Sequence, residues 1–134
     1  MSLYKLPITM DYLDELFYTK EHVWLKYIDD HRCQLGITNF AQDLLGDIVF
    51  IDIKSNEKIF SNQPMGIIES VKTASDIIAP VDGQILNINQ DLTKTPELIN
   101  DKPHETWICE ILINDIFNKN NFLSKEEYLA QINN

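Results

Sequence analysis

The feature that most limits what this chain can become is the shortness of its apolar runs. Residues 23–28, 33–37, 47–53, 84–88 and 107–113 are each of strand length and rich in β-branched or aromatic side chains, and turn-forming residues lie between them. Little helical periodicity separates these runs, which excludes a parallel α/β sheet and predicts a mostly β fold, a small sandwich or flattened barrel carrying a few helices. The first hairpin is residues 23–28 and 33–37, turning at Asp29-Asp30-His31-Arg32. Thr38 is placed to cap a short helix through Leu45, with Phe40, Ala41, Leu44 and Leu45 on one face and Gly46 as a left-handed stop. Ser124-Lys125-Glu126-Glu127 has the form of a capping box, opening a C-terminal helix that runs to about Ile132. Residues 89–104 read as a polar loop, and the patch at residues 12–17 is compatible with a helix without a strong cap. The chain thus divides into a lead, residues 1–17, with no assigned role, and a single domain, residues 18–134.

At 134 residues the chain suits one domain, burying roughly two-thirds of its unfolded surface. Its 11 basic and 21 acidic residues give a net charge of −10, which repels phosphate backbones and argues against nucleic acid as a partner. No apolar run approaches the roughly 20 residues of a membrane span, and the start has neither signal-peptide nor transit-peptide composition, so a soluble, cytoplasmic, monomeric protein is expected. Cys33 and Cys109 lie in strand-like runs without zinc-site spacing and read as buried free thiols. His22, His31 and His104 share no metal-binding spacing, so no metal site is assigned. Trp24 and Trp107 read as packing residues, and Gly83 as relief of backbone strain after Pro80.

Around Lys72 the sequence is nearly its own mirror: Ile67-Ile68-Glu69-Ser70 is answered by Ser75-Asp76-Ile77-Ile78. This pattern suits an antiparallel hairpin centred between Lys72 and Thr73, with Glu69 facing Asp76 and Ser70 facing Ser75. The turn lacks Gly and Asn, so a type I geometry with a slightly splayed tip is expected rather than a primed turn. Facing acids weaken a hairpin. They are either recognition marks beside Lys72 or ordinary solvent-facing strand residues. An exposed lysine amine carries its proton at neutral pH, which argues against a Schiff-base catalyst. It remains a good acceptor for an activated acyl group, giving a neutral amide on a long flexible stem.

Glu69-Ser70-Val71-Lys72, followed by Ala74-Ser75-Asp76 and Ala79-Pro80-Val81-Asp82-Gly83, resembles the lipoyl-attachment region of glycine cleavage H proteins. The likeness extends through Tyr18-Thr19-Lys20-Glu21-His22 and Trp24, Leu35-Gly36-Ile37-Thr38 with Ala41-Gln42, Leu45-Gly46-Asp47, Pro96-Glu97-Leu98-Ile99-Asn100 and Trp107-Ile108, from about Tyr18 to Leu129. The resemblance implies a lipoyl/biotinyl-type hybrid-barrel β-sandwich and a carrier subunit rather than an enzyme. Lipoate would be in amide linkage to Lys72, with Glu69 and Asp76 recognised by the modifying enzyme or the arm. It implies shuttling of the methylamine group of glycine from glycine decarboxylase (P protein) to an aminomethyltransferase (T protein), reoxidation by dihydrolipoyl dehydrogenase (L protein), and a lipoate-attaching enzyme. The hard chemistry would belong to the cofactor and partners, and the tether would supply effective concentration.

Two departures stand out. The family usually reads His-Glu-Trp where this chain has His22-Val23-Trp24, removing a carboxylate that in family members faces the loaded arm, although Asp76 remains and Glu21 lies beside the gap. Glu105 and Thr106 replace the small residues that usually precede the late tryptophan, which bears on the turn there. An alternative is therefore an H-like relay protein that donates lipoate to other enzymes or carries a redox arm for them. A biotin carrier would flank its lysine with methionines rather than Val71 and Thr73. An unmodified β-sandwich that binds proteins through its acidic surface is what composition alone permits.

Overall fold

A computed structural model describes residues 12–133. Among the described residues the strands are β1 (Phe17–Tyr18), β2 (Val23–Asp29), β3 (Arg32–Ile37), β4 (Ile48–Ile53), β5 (Lys58–Ile59), β6 (Pro64–Ser70), β7 (Ala74–Ile78), β8 (Gly83–Ile88) and β9 (Cys109–Ile113). They form a six-stranded sheet, ordered β1-β2-β3-β9-β8-β5, and a three-stranded sheet, ordered β4-β6-β7, with antiparallel pairing throughout. The mostly β expectation holds, and the two sheets share one apolar interior: Leu25, Leu35, Ile85 and Ile111 come from the large sheet, Ile68 and Ile77 from the small one. Period-2 alternation produces this arrangement. In β9, Cys109, Ile111 and Ile113 are buried, whereas Glu110 and Leu112 are turned outward.

The strand β2 breaks the alternation, since Val23, Trp24 and Leu25 are all buried. Both of its faces are covered. Val23 and Leu25 join the main core, while Trp24 joins a second cluster with Tyr12, Leu16, Tyr18 and Tyr128. Gly36 lies opposite Trp24, and a Cβ there would fall 2.4 Å from the indole ring, so only glycine lets the tryptophan lie across the strand. The helix α1 (Asn39–Leu45) starts as expected, with Thr38 accepting from the Ala41 N–H, but Leu44 is exposed rather than part of the inward face with Ala41 and Leu45.

The expected loop at residues 89–104 instead contains two one-turn helices, α2 (Asp91–Lys94) and α3 (Leu98–Asp101), which bury Leu92 and Ile99. Sequence periodicity cannot register elements of one turn. The C-terminal helix α4 (Lys125–Ile132) has the predicted capping box, and its Tyr128 is fully buried. Of the lead, residues 1–11 lie outside the described residues. Residues 12–17 form no helix but a turn running into β1, with Tyr12 and Leu16 buried in the second cluster. The role expected of Gly83 is corrected as well: its φ is not positive, and a Cβ would stand 2.2 Å from the Leu112 carbonyl oxygen, so close approach of β9 requires glycine.

Candidate functional site

Lys72 sits in the turn joining β6 to β7, whose two central residues are Val71 and Lys72. The Ser70 N–H donates to the Thr73 carbonyl at 2.8 Å, so the hairpin is centred between Val71 and Lys72. The Ser70 hydroxyl accepts from the Lys72 and Thr73 N–H groups, both at 3.1 Å, and itself lies 3.2 Å from the Thr73 carbonyl. That hydroxyl stands where the Ser70 carbonyl would normally close the turn. It accounts for a tight hairpin whose tip has no positive φ and no glycine. All three hydrogen-bonding capacities of the serine are engaged at the base of the lysine.

The turn is braced from one side. The Val71 N–H donates to the Asp47 carbonyl at 2.9 Å, and the lysine stem lies across Gly46: a Cβ on that glycine would fall 2.8 Å from Lys72 Cε. Gly46 has φ 87° and ψ −160°, a region essentially restricted to glycine. It ends α1, but not in the left-handed helical conformation expected of a stop. Asn100 fixes this ledge, because its Oδ1 accepts from the Ile48 N–H at 2.9 Å while its Nδ2 donates to the Gly46 carbonyl and to Gln42 Oε1, each at 2.9 Å. The sequence places Asn100 at the end of the Pro96-Glu97-Leu98-Ile99-Asn100 motif of the family resemblance but gives it no role of its own. Among the described residues the Lys72 ammonium makes no ion pair, and its side chain is exposed.

The register differs from the mirror reading by two residues. Glu69 pairs with Ala74, and Asp76 with Ile67. An even shift keeps every side chain on its face. Glu69 and Asp76 therefore still share the outer face, as diagonal rather than direct neighbours, which lessens their mutual repulsion. Across the small sheet that face reads Phe50, Glu69, Ala74 in one row and Asp52, Ile67, Asp76 in the next.

A family model described as glycine cleavage H-protein matches residues 16–134. The chain is 42% identical over 121 residues to the glycine cleavage system H protein of Coprothermobacter proteolyticus, covering 89% of this chain and 95% of that one. It is 41% identical over 122 residues to that of Clostridioides difficile, covering 90% and 98%. The chain belongs to the glycine cleavage H-protein family. The crystal structure of the Mycobacterium marinum family member superposes with a TM-score of 0.81 at 28% identity, covering 92% of this chain and all of that one. This H-protein family member is accordingly a lipoyl-carrier subunit of the glycine cleavage system, not a catalyst, with the lipoyl-type β-sandwich of its relatives. Family members carry lipoate on a lysine and work with the P, T and L proteins.

Where this family member departs from the usual pattern, the structure gives a physical account. Val23 is 1% exposed in the main core, so it presents nothing to an arm. Glu21 is exposed in a groove with Ser61, Asp82 and Asp115, past the end of β7 remote from Lys72. Thr106 is buried and donates to the Leu98 carbonyl at 3.1 Å, tying the segment before Trp107 to α3. His22 Nδ1 lies 2.7 Å from the Tyr128 hydroxyl, His104 Nε2 accepts from the Asn39 N–H at 3.0 Å, and His31 is exposed in the first turn. Among the described residues no three metal-ligating side chains cluster. Cys33 and Cys109 are buried free thiols; burial pushes Cys33 up to about 12 and raises Cys109 as well, so neither is a ready nucleophile. Trp24 donates to the Pro103 carbonyl at 2.9 Å, and Trp107 packs against the second cluster.

Proposed function

We propose that Lys72 is the lipoate attachment site and that Glu69 and Asp76 mark it for the modifying enzyme or the arm. The observation that carries this reading is the combination of an exposed amine, without an ion pair among the described residues, and a rigid base: the Ser70 hydroxyl and the Asp47 carbonyl fix the backbone under it. Those residues fit the group, because an amide on Nζ buries no charge and breaks no described ion pair. When bound, lipoate supplies a dithiolane that exchanges electrons and carries the aminomethyl group. The chain supplies the tether, holding the arm at high effective concentration beside a docked active site. The partners on this reading are glycine decarboxylase, the aminomethyltransferase, dihydrolipoyl dehydrogenase and a lipoate-attaching enzyme, met by a monomer in the cytoplasm. Residues 18–134 act as one carrier domain. Among the described residues no helix is long and apolar enough to cross a membrane.

A second reading, an H-like relay that donates lipoate to other enzymes, draws support from Val23, which leaves the usual carboxylate position apolar and buried. Intact mass of protein incubated with lipoate ligase, lipoate and ATP tests the attachment site. One lipoyl amide mapping to Lys72, and its loss in Lys72→Arg, is expected; a modified lysine elsewhere, or none, overturns the assignment. Glycine-dependent carbon dioxide exchange with the decarboxylase then separates the two readings: exchange supports the cleavage cycle, and its absence from lipoylated protein supports the relay.

A further inference from the structure

Four large apolar side chains are exposed around the lysine turn: Leu44, Val49, Phe50 and Val71, at 60%, 52%, 48% and 66%. They come from three elements that the geometry above brings together. Leu44 precedes the Leu45-Gly46 ledge on which the lysine stem rests, Val49 and Phe50 lie where β4 bulges against Ser70 and Glu69, and Val71 is the tip residue itself. Val49 is the extra residue of that bulge, and bulges re-aim side chains and end regular pairing. Charge frames the patch. Over residues 43–50 and 69–74 the chain has three carboxylates, Asp43, Asp47 and Glu69, and one cation, Lys72, while Asp52 and Asp76 share a groove farther from the tip with Lys54 and Lys58.

We infer that this apolar collar is the seat of the enzyme that acylates Lys72, and that this enzyme presents a shallow apolar surface rimmed by arginine and lysine. The inference rests on the reading of Lys72 as an acylated residue. It follows from reach: to form the C–N bond the acyl carbon must approach Nζ to about 3–3.5 Å beforehand, so the acylating enzyme has to cover the ring of residues around the turn. Enzymes that act at the far end of a finished arm are under no such constraint. In the step itself, Nζ gives its ammonium proton to solvent and attacks the carbonyl carbon of an acyl–phosphate mixed anhydride. The C–O bond to phosphate breaks, the phosphate leaves with the electron pair, and a second nitrogen proton passes to solvent. The amide carries no charge, so the collar's one cation disappears on modification. The acidic frame favours a basic partner in the free and the acylated forms, while loss of the cation marks the finished product. Desolvated apolar anchors within a polar rim are the usual source of docking energy.

Acylation kinetics with lipoate ligase, lipoate and ATP test this on wild type, the Leu44→Ser/Val71→Ser double variant, and the controls Phe60→Ser and Ile116→Ser, whose side chains are 61% and 62% exposed away from the tip. For the double variant KM should rise about ten-fold with kcat within about two-fold, while both controls keep wild-type values. Raising salt should increase the wild-type KM. Double variant driven to full lipoylation should be reduced by dihydrolipoyl dehydrogenase as fast as wild type. A wild-type protein that is never acylated at Lys72 removes the underlying reading and the collar with it. Normal acylation of wild type and double variant alike overturns the collar alone, as does an equal rise in KM for the controls. An equal loss in the dehydrogenase assay overturns its assignment to the acylating enzyme.

Discussion

The outer face of the large sheet near β1 and β2 is covered and fully bonded, whereas that of the small sheet is bare. On the first, Tyr128 of α4 stacks on Tyr18 with ring centroids 5.0 Å apart, the Tyr18 hydroxyl bonds both backbone groups of Leu13, and the Trp24 indole reaches the Pro103 carbonyl. On the second, Phe50, Glu69, Ala74, Asp52, Ile67 and Asp76 face outward, the last three in a groove with Lys54 and Lys58, and among the described residues none of the three acids makes an ion pair. The contrast shows where this chain places stability and where it leaves surface for others. A carrier needs a face that is not already satisfied internally, and the covered face keeps the bare one in shape through α1 and its ledge.

Removing the centre of the covered face should break this contrast most severely. Tyr128→Ala deletes a fully buried ring that touches Tyr12, Tyr18 and His22, with an expected loss of about 4 kcal/mol in chemical denaturation. Phe50→Ala, on the bare face, should cost no more than about 1 kcal/mol. Equal losses would show that the two faces do not differ in kind. The ledge between them comes next. Asn100→Ala forfeits three hydrogen bonds and strands the Ile48 N–H and the Gly46 carbonyl, so a loss of about 2 kcal/mol is expected. Acylation of Lys72 should slow with it, because the lysine stem rests on Gly46. Unchanged acylation in a measurably destabilised protein would separate the ledge from the site.

Much of this was legible in the residues, and what was not has identifiable causes. The strand runs, the Thr38 cap and the Ser124 capping box are local signals carried by a handful of side chains, and all three are present in the structure. The two-residue strands β1 and β5 and the one-turn helices exist because of tertiary pairing, and no local pattern of that length can announce them. The register error at the tip came from matching the Ile-Ile and acid pairs by symmetry. The deciding group was the Ser70 hydroxyl, which closes the turn one residue earlier on the chain than the mirror centre. The ledge was invisible for a different reason: Asn100 and Gly46 lie 54 positions apart, so only the fold brings them together. Leu44 shows the limit of periodicity, since its spacing fits the inward face of α1 and its side chain is nevertheless exposed.

The smallest effect concerns how the covered face responds to acid. Burial lowers the His22 pKa, and the charge of Glu21 opposes this only in part. Neutral His22 can accept the Tyr128 hydroxyl proton at Nδ1, 2.7 Å away, and protonated His22 cannot. Because the folded value lies below the unfolded one of about 6.5, the unfolded chain binds the extra proton first as pH falls. The contribution of His22 is therefore whole above about pH 6.5 and is lost progressively between that value and the lowered folded one. His22→Asn is the informative variant, since His22 has φ 69° and asparagine tolerates left-handed backbone better than other replacements. Thermal midpoints from about pH 7.5 down to about pH 5 should fall more steeply for wild type than for His22→Asn, by a degree or so. Parallel profiles would mean that acid sensitivity resides elsewhere in the chain.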